Sequence, residues 1–151
     1  MRIRGFEVVR DQFRKHQQTI KLPTRATKNS AGYDFYSPIE IIIPPKSKEL
    51  IWTDVKAYMQ PGEVLLIDVR SSIGIKKGLM LANTIGIIDM DYYSNPDNDG
   101  NIGICLYNTT DQPVKIEAYE RIAQGLFIPF LSADNGHTNK ERIGGIGSTN
   151  Y

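Results

Sequence analysis

Turn-forming residues interrupt this sequence so often that it has little room for long helices. Short runs rich in β-branched and aromatic residues alternate with turn signals at spacings of roughly 8–12 residues. Residues 63–69 and 101–108 are examples of such runs, and no stretch of ten residues has a convincing amphipathic helical period. The pattern predicts an all-β fold, either a sandwich or a barrel.

Length, charge and cysteine content limit the possible functions. The 151 residues are enough for one domain, and the formal net charge of +1 gives no reason to expect direct binding to nucleic acid. The single cysteine, Cys105, lies in an apolar run and is compatible with a reducing compartment. No apolar stretch approaches the roughly 18 residues that span a membrane. We therefore expect a cytoplasmic protein that does not enter membranes.

Five polar or glycine-rich segments stand out between the strand-like runs. They are AGYD at 31–34, RSS at 70–72, LMLANTIGIIDMDY at 79–92, ERIAQ at 120–124 and ERIGGIGST at 141–149. Each alone could be an ordinary turn or strand end. Because all five are flanked by strand-like sequence, together they favour one site assembled from loops on a β scaffold.

Two of these segments have the composition of phosphate-binding loops. Arg70, Ser71 and Ser72 follow a strand and precede a possible helical turn, with Ser71 or Ser72 as its N-cap, so their N–H groups, hydroxyls and guanidinium can converge on phosphate oxygens. The glycines of residues 144–147 can fold over an anion with their backbone amides. A flexible terminal linker is an equally good interpretation of that glycine-rich end.

Oxygen-bearing side chains suggest a magnesium site and a general base. Asp34, Asp89, Asp91 and Gln124 offer the oxygen ligands that Mg²⁺ prefers, usually through retained waters. Asp89 is also a candidate base for a water nucleophile. Attack of water on a nucleotide phosphate needs positioning, charge neutralisation and one base. The alternative is that Asp89 and Asp91 are ordinary turn residues at the end of an apolar strand.

In order and spacing, the five segments resemble the signature motifs of the trimeric deoxyuridine triphosphate nucleotidohydrolase (dUTPase) family. The matching stretches are AGYDFYS, RSSIGIKKG, GIIDMDY, ERIAQ and RIGGIGST, within residues 19–149. The resemblance implies a jelly-roll-like β-barrel in a three-fold homotrimer, with each active site built from three chains. It also implies that residues 1–151 form one domain, in which residues 132–151 are a flexible C-terminal arm exchanged between chains.

The implied reaction is hydrolysis of dUTP to dUMP and pyrophosphate with Mg²⁺, which limits uracil incorporation into DNA and supplies dUMP for dTMP synthesis. By the resemblance, Asp89 activates the attacking water, and Tyr92 packs beneath the sugar and excludes a 2′-hydroxyl. Uracil would be bound by Asn83 together with the hairpin backbone, including Gly86 and Ile88.

The resemblance assigns the remaining residues to the triphosphate, the metal and a lid. Arg70, Ser71 and Ser72 would bind phosphates, while Asp34 and Gln124 would hold Mg²⁺ through water. Arg142 would clamp the γ-phosphate. The lid would be formed by Gly144, Gly145, Ile146, Gly147, Ser148 and Thr149.

Two departures from the family pattern are relevant to the site. Ile146 replaces the usual aromatic residue that stacks on uracil, which removes a stacking contribution of roughly 0.5–1.5 kcal/mol unless Tyr93 or Tyr151 takes its place. Residues 93–99 lengthen the turn after Tyr92, and we expect this insertion to be surface without a role in the site.

Two other functions are compatible with this sequence pattern. A dCTP deaminase would share the fold, but its catalytic glutamate corresponds here to Cys105, which cannot perform that proton transfer. A non-catalytic regulatory protein could keep the fold and act through the loop at residues 93–99.

Overall fold

The computed structural model describes residues 1–147, which form twelve β-strands and three short helical turns. The strands are β1 (Gly5–Val8), β2 (Thr24–Arg25), β3 (Tyr33–Tyr36), β4 (Ile41–Ile43), β5 (Lys48–Trp52), β6 (Val55–Tyr58), β7 (Glu63–Val69), β8 (Leu79–Leu81), β9 (Gly86–Ile88), β10 (Gly103–Asn108), β11 (Val114–Ile116) and β12 (Arg121–Pro129). The turns are 3₁₀ turns at Asp11–Phe13 and Met90–Tyr92 and a π turn at Ser72–Lys76. The all-β prediction is confirmed.

All strand pairs are antiparallel. Five strands pair in the order β2-β3-β12-β7-β9, and three pair in the order β5-β10-β8. The pairs β1–β6 and β4–β11 complete the fold. Strands β3, β12, β7 and β9 are neighbours although they come from distant parts of the sequence, so the loops at their ends are brought together in space.

All four sheets contribute to one hydrophobic core. Leu65 of the five-stranded sheet, Ile104 of the three-stranded sheet, Val55 of β6 and Ile116 of β11 belong to the same buried cluster. Burial of one such side chain contributes about 1.5–3 kcal/mol. A core shared in this way fixes the strand ends relative to one another, as a barrel-like fold requires.

The helical turn predicted after RSS is confirmed, but its predicted capping is wrong. The turn at Ser72–Lys76 is followed by Gly78, whose φ of +70° favours glycine. Ser71 precedes the turn with helical backbone angles, φ −56° and ψ −39°, and makes no side-chain capping bond. A capping serine needs extended backbone angles to direct its hydroxyl at the free N–H groups. The Ser72 hydroxyl instead accepts a long hydrogen bond of 3.5 Å from Arg70 Nη1.

The insertion at residues 93–99 is not simple surface, so that prediction is wrong. Asn95 and Asp99 are buried, and the Asp99 carboxylate accepts hydrogen bonds from the Arg10 backbone N–H at 2.8 Å and from Lys56 Nζ at 2.9 Å. The charged and amide groups of the insertion are satisfied within the protein, which is why so polar a segment can be buried.

Residues 130–147 form no helix or strand, and Leu131 is almost fully exposed. The arm nevertheless returns to the body of the protein, where Gly144 and Gly145 are buried. Within residues 1–147, no helix is both long and apolar enough to cross a membrane.

Candidate active site

Adjacent strands of the five-stranded sheet build one cavity from three sequence motifs. Gln124 of β12 pairs directly with Asp34 of β3, and Arg70 follows β7, which pairs with β12 on its other side. With Ser71, these side chains line a cavity of about 310 Å³, which we call the polar cavity. Four predicted site residues therefore meet because their strands are neighbours.

An incompletely satisfied carboxylate lies in the polar cavity. Arg70 Nε donates a hydrogen bond to Asp34 Oδ1 at 3.1 Å. Asp34 Oδ2 is buried and accepts no hydrogen bond within residues 1–147, although Arg121 Nη1 lies 3.6 Å away. A buried acceptor without a donor is costly. This oxygen is thus available to a water, a cation or another ligand.

Gly32 gives the Gln124 side chain room in the polar cavity. A Cβ at position 32 would lie only 2.6 Å from Gln124 Oε1, so any other residue would displace that amide. Gln124 Nε2 donates to the Val69 carbonyl at 3.3 Å. Ser72 lies outside this cavity and lines a neighbouring shallow depression with Arg70 and Arg121.

The second cavity, which we call the apolar cavity, has a volume of about 560 Å³. Its walls include Ile67, Leu81 and Ile104, from three different strands. A largely apolar cavity of this size with a few polar groups is typical of small-ligand sites. It brings together nine of the predicted residues, which are Asn83, Gly86, Ile88, Asp89, Tyr92, Arg142, Gly145, Ile146 and Gly147.

The sequence analysis missed several wall residues of the apolar cavity. Lys48, Leu50 and Cys105 line it from β5 and β10. Cys105 is half-buried rather than a core residue, because the alternation of β10 directs Ile104 and Leu106 into the core instead. Burial raises the pKa of the Cys105 thiol, which keeps it uncharged.

An arginine from the arm binds the carboxylates at the end of β9. Arg142 Nη2 donates to Asp89 Oδ2 at 2.7 Å, and Arg142 Nε donates to Asp91 Oδ1 at 2.8 Å. Burial disfavours the charged guanidinium, but the hydrogen bond to Asp91 and the charges of Asp91 and Asp89 outweigh it, so the pKa of Arg142 is raised. In a single chain the arm thus closes over its own Asp89.

Tyr92 is held at both sides of its hydroxyl. Oη donates to the Asn101 carbonyl at 2.5 Å and accepts from Asn98 Nδ2 at 2.8 Å. The side chain is buried, and burial raises the pKa of the phenol despite the opposing hydrogen bond from Asn98 and the charge of Arg142. Asn98 was missed from sequence because it belongs to the insertion interpreted as surface.

Ile146 has no aromatic replacement among residues 1–147. Its side chain is 79% exposed at the cavity wall. Tyr93 does not line the apolar cavity in this chain: its ring lies against Tyr58 at 6.1 Å and beneath Lys56 Nζ at 4.7 Å. That it could cover uracil stays a prediction. Tyr151, the other predicted replacement, lies outside the described residues.

The lid residues are only partly described. The carbonyl of Gly144 accepts a hydrogen bond from Arg142 Nη1 at 3.2 Å, whereas Gly144 itself does not line the apolar cavity. Ser148 and Thr149 lie outside the described residues.

Asp89 and Arg70 lie at opposite ends of β7. Strand β9 pairs with β7 so that Ile88 is opposite Leu65, and Asp89 follows at that end. Arg70 follows Val69 at the other end. Asp89 comes one residue after Ile88 and so lies level with Val64. Six extended residues separate that level from Arg70, or roughly 20 Å at about 3.3 Å per residue. One chain therefore does not bring Asp89 and Arg70 to the same ligand atom.

Sequence comparisons with known proteins point to one family. The sequence model of the dUTPase family matches residues 18–149. The deoxyuridine 5′-triphosphate nucleotidohydrolase of Lactococcus lactis is 49% identical over 152 residues, which cover 99% of each chain. That of Histophilus somni is 37% identical over 116 residues, covering 75% of this chain and 73% of the relative.

Solved structures agree at the level of the fold and, in one case, of the sequence. A crystal structure of dUTPase from Streptococcus mutans superposes with a TM-score of 0.76 at 46% identity, covering 86% of this chain and 98% of that one. A mutant dUTPase of phage phi11 of Staphylococcus aureus is described with a structural Mg(II) ion. It superposes with a TM-score of 0.71 at 21% identity, covering 91% of this chain and 97% of that one. This is a likeness of fold alone. The dUTPase-like β fold predicted from the sequence is confirmed, and the chain belongs to the dUTPase family.

Proposed function

We propose that this protein hydrolyses dUTP to dUMP and pyrophosphate. One observation carries the proposal. In a chain of the dUTPase family, the apolar cavity is large enough for a nucleoside and has Asp89 and Tyr92 on its wall. By this reaction the protein would limit uracil incorporation into DNA and supply dUMP. The free thiol of Cys105 supports a cytoplasmic location.

Uracil would bind at the turn between β8 and β9. Asn83 lies in this turn, which is closed by hydrogen bonds from Thr84 N to the Leu81 carbonyl and from Ile85 N to the Asn83 carbonyl. The Asn83 amide and nearby backbone groups would pair with the uracil edge, with Gly86 and Ile88 completing the binding surface. Cytosine reverses a donor and an acceptor on that edge, which would leave buried polar groups unpaired.

The reaction would proceed by attack of water on the α-phosphorus. Asp89 would accept the proton as the water oxygen bonds to phosphorus, and the bond to the α–β bridging oxygen would break to release pyrophosphate. Asp89 is 54% exposed even when paired with Arg142, so water reaches it. Binding of the triphosphate would draw Arg142 to the γ-phosphate and release Asp89 to act as the base. The arm glycines and Ile146, with Ser148 and Thr149, would then close over the nucleotide.

Phosphate binding would fall to the polar cavity and its rim. Arg70 and Ser71 line that cavity, and Ser72 lies beside Arg70 and Arg121 in the adjoining depression. The two arginines would neutralise charge on the phosphate chain, and Ser72 would stabilise the charge that develops on the leaving oxygen.

The residues of the polar cavity fit Mg²⁺ bound through water. Asp34 Oδ2 is a buried carboxylate oxygen that has no hydrogen-bond donor in the described part of the chain, and Gln124 lies beside it in the pairing of β3 with β12. Residues 1–147 contain no cluster of three or more His, Cys, Asp or Glu able to hold a metal directly. Asp34 and Gln124 would thus hold metal-bound waters, and phosphate oxygens would supply the remaining ligands. When bound, Mg²⁺ would neutralise charge on the triphosphate.

We propose a three-fold homotrimer in which neighbouring chains share each active site. The support is the separation of roughly 20 Å between Asp89 and Arg70 along β7. A rotation that places the polar cavity of one chain against the apolar cavity of the next would unite Arg70 with Asp89, and such head-to-tail contacts close into rings. Residues 132–151 would be a flexible arm that leaves its own Asp89 for the site of a neighbour.

The test is incubation with dUTP and, separately, dCTP, with and without Mg²⁺, followed by chromatography of the products. We expect dUMP and pyrophosphate from dUTP only, with turnover lost on addition of a chelator and restored by Mg²⁺. Ammonia release from dCTP, or absence of dUMP, would contradict the proposal. Light scattering should give a mass about three times the chain's 17.0 kDa, and a monomer mass would exclude shared sites.

Neither of the other two functions is favoured by an observation on this structure. Residues 1–147 place no glutamate on the wall of the apolar cavity, and the candidate position holds the uncharged Cys105 thiol. The insertion at residues 93–99 buries Asn95 and Asp99 within the protein, which weighs against a free partner-binding loop.

A further inference from the structure

The insertion after Tyr92 folds into a compact turn held by asparagine side chains. Asn95 Nδ2 donates to the Tyr92 carbonyl at 2.7 Å, and Asn95 Oδ1 accepts from the backbone N–H of Asp97 and Asn98. Such side-chain bonds to nearby backbone groups define a polar turn without a helix or sheet. The turn therefore follows Tyr92 in sequence and is hydrogen-bonded back to the Tyr92 carbonyl.

Asn98 is the residue of this turn that reaches the Tyr92 hydroxyl. Its Oδ1 accepts from Asn95 Nδ2 at 2.8 Å and from the Gly100 backbone N–H at 3.0 Å. With the oxygen engaged on both sides, the amide orientation is set, and Nδ2 points at Tyr92 Oη at 2.8 Å. Because that donor occupies one side of Oη, the hydroxyl hydrogen is directed to the Asn101 carbonyl.

The base of the turn is anchored to the protein body by a buried ion pair. Asp99 is fully buried and is bonded to Lys56 Nζ at 2.9 Å and to Arg10 at both its backbone N–H and its Nε. Its backbone φ of +62° is a left-handed conformation that the surrounding bonds must maintain. Asn98 is therefore carried on a rigid support.

The arm encloses the Asn98 amide from the other side. A Cβ at position 145 would lie 2.7 Å from Asn98 Nδ2 and 3.4 Å from Tyr92 Cε1. Only glycine lets the arm pack this closely on the pair. With an arm in this position, the chain's own or a neighbour's in the proposed trimer, the Asn98 amide lies between Gly145 and Tyr92.

We propose that Asn98 is a positioning residue that fixes the Tyr92 ring and thereby sets the discrimination between a deoxyribonucleotide and a ribonucleotide. The inference rests on the proposed function, in which Tyr92 packs beneath the sugar. A ring held at Oη by two hydrogen bonds keeps the space beside the sugar too small for a 2′-hydroxyl. Loss of the Asn98 donor frees the ring to tilt, and UTP then fits.

The test compares kcat and KM for dUTP and UTP in the wild-type protein, Asn98→Asp and Tyr92→Phe. Asn98→Asp keeps the shape and the Oδ1 acceptor but replaces the donor to Oη by a second acceptor. The single hydroxyl hydrogen of Tyr92 can then bond to the Asn101 carbonyl or to the new carboxylate, but not to both, so Oη keeps one hydrogen bond in place of two. We expect it to lower the ratio of kcat/KM for dUTP over UTP about tenfold, the discrimination that one buried hydrogen bond supplies. Tyr92→Phe removes both bonds at Oη and should lower the ratio at least as much.

Two further variants separate positioning from a structural role. Asp97→Ala changes an exposed side chain on the same turn and should leave the ratio unchanged. Combining Asn98→Asp with Tyr92→Phe should lower the ratio no further than Tyr92→Phe alone, because the Asn98 bond ends on the same oxygen.

The outcomes distinguish this inference from the proposed function. If Asn98→Asp lowers activity on dUTP and UTP equally, or Tyr92→Phe keeps the wild-type ratio, the inference is overturned while dUTP hydrolysis stands. If Asn98→Asp does not fold, Tyr92→Phe alone decides, since it leaves the other bonds of the turn in place. A wild-type protein that does not hydrolyse dUTP overturns the proposed function as well.

Discussion

The two cavities differ in how complete each is within one chain. The apolar cavity is closed by the chain's own arm, and Arg142 satisfies both Asp89 and Asp91. The polar cavity retains a buried Asp34 oxygen without a hydrogen-bond donor among residues 1–147. In the single chain the apolar cavity is thus covered by an arm, which a neighbour's arm would replace in the proposed trimer, whereas a buried acceptor of the polar cavity is left for a ligand. This difference is what a shared site predicts, because phosphates, metal waters and a neighbouring chain would supply what the polar cavity lacks.

The largest expected effect comes from removing the base of the apolar cavity. Asp89→Asn should lower kcat for dUTP about 10²–10⁴-fold through loss of general-base catalysis. Binding of a non-hydrolysable imido analogue of dUTP, measured by calorimetry, should persist. Asp91→Asn is the matched control, because Asp91 also binds Arg142 but has no base role, and it should cost only a few-fold. Equal losses in the two variants would assign both aspartates to docking of the arm.

Mixed trimers would show whether the two cavities of different chains form one site. Asp89→Asn and Arg70→Ala chains, each nearly inactive alone, should together regain about a third of wild-type activity. In a mixed trimer, about one of the three sites combines an intact half from each kind of chain. The measurement is dUTP turnover of trimers purified through a different affinity tag on each chain. Co-expression of Asp89→Asn with Asp89→Ala should restore nothing. Failure of the first mixture to recover would place both halves in the same chain.

Removing the arm should affect activity more than folding. Truncation after Lys140 deletes Arg142 and the lid but no strand, so the thermal midpoint of unfolding should stay within a few degrees. The value of kcat/KM for dUTP should fall about 10–100-fold, because one charge-assisted phosphate contact is lost. Circular dichroism and turnover assays measure the two quantities. Unchanged turnover in the truncated protein would remove the lid from the mechanism.

The smallest expected effect on activity comes from Asp99, which anchors the turn that supports Tyr92. Its substitution should change mainly the free energy of unfolding. Burial opposes ionisation of Asp99, but the Arg10 backbone N–H and the Lys56 ammonium outweigh it, so the pKa of Asp99 is lowered. A lowered folded-state pKa gives stability that is present above the ordinary aspartate pKa of about 3.9 and is lost as pH falls through the folded value.

Asp99→Asn should therefore destabilise the protein by about 3–5 kcal/mol at neutral pH, because it leaves the Lys56 charge buried without its partner. As the pH falls from 5 to 3, the difference in free energy of unfolding between wild type and variant should narrow. Urea unfolding at several pH values measures this, with Asp97→Asn as the exposed control. A gap independent of pH would exclude the carboxylate charge as the source of stability.

Sequence reasoning located the chemistry of the site better than its arrangement. The motifs of this sequence resemble those of the family in order and spacing. This resemblance made it possible to propose Asp34, Arg70, Asp89 and Arg142 as site residues. Their division between two ends of β7 could not be proposed in this way, because it depends on the pairing of Leu65 with Ile88, a non-local contact that no local pattern encodes.

The insertion was misread for a different reason. Asn95, Asn98 and Asp99 have the composition of an exposed turn, and the same composition serves a buried turn when every polar group finds a partner. The partners, Lys56 and Arg10, are about forty or more positions away in sequence. Cys105 shows a related limit: it lies in an apolar run of sequence, and only the alternation of the strand places its thiol at a cavity wall.

Strand β7 has a consequence for how this protein would lose activity. In the proposed trimer, its two ends serve different catalytic centres, so a transient opening of that single strand in one protomer would disable two of the three at once. Because each centre needs two intact chains, activity would then fall roughly as the square of the fraction of intact chains rather than in proportion to it.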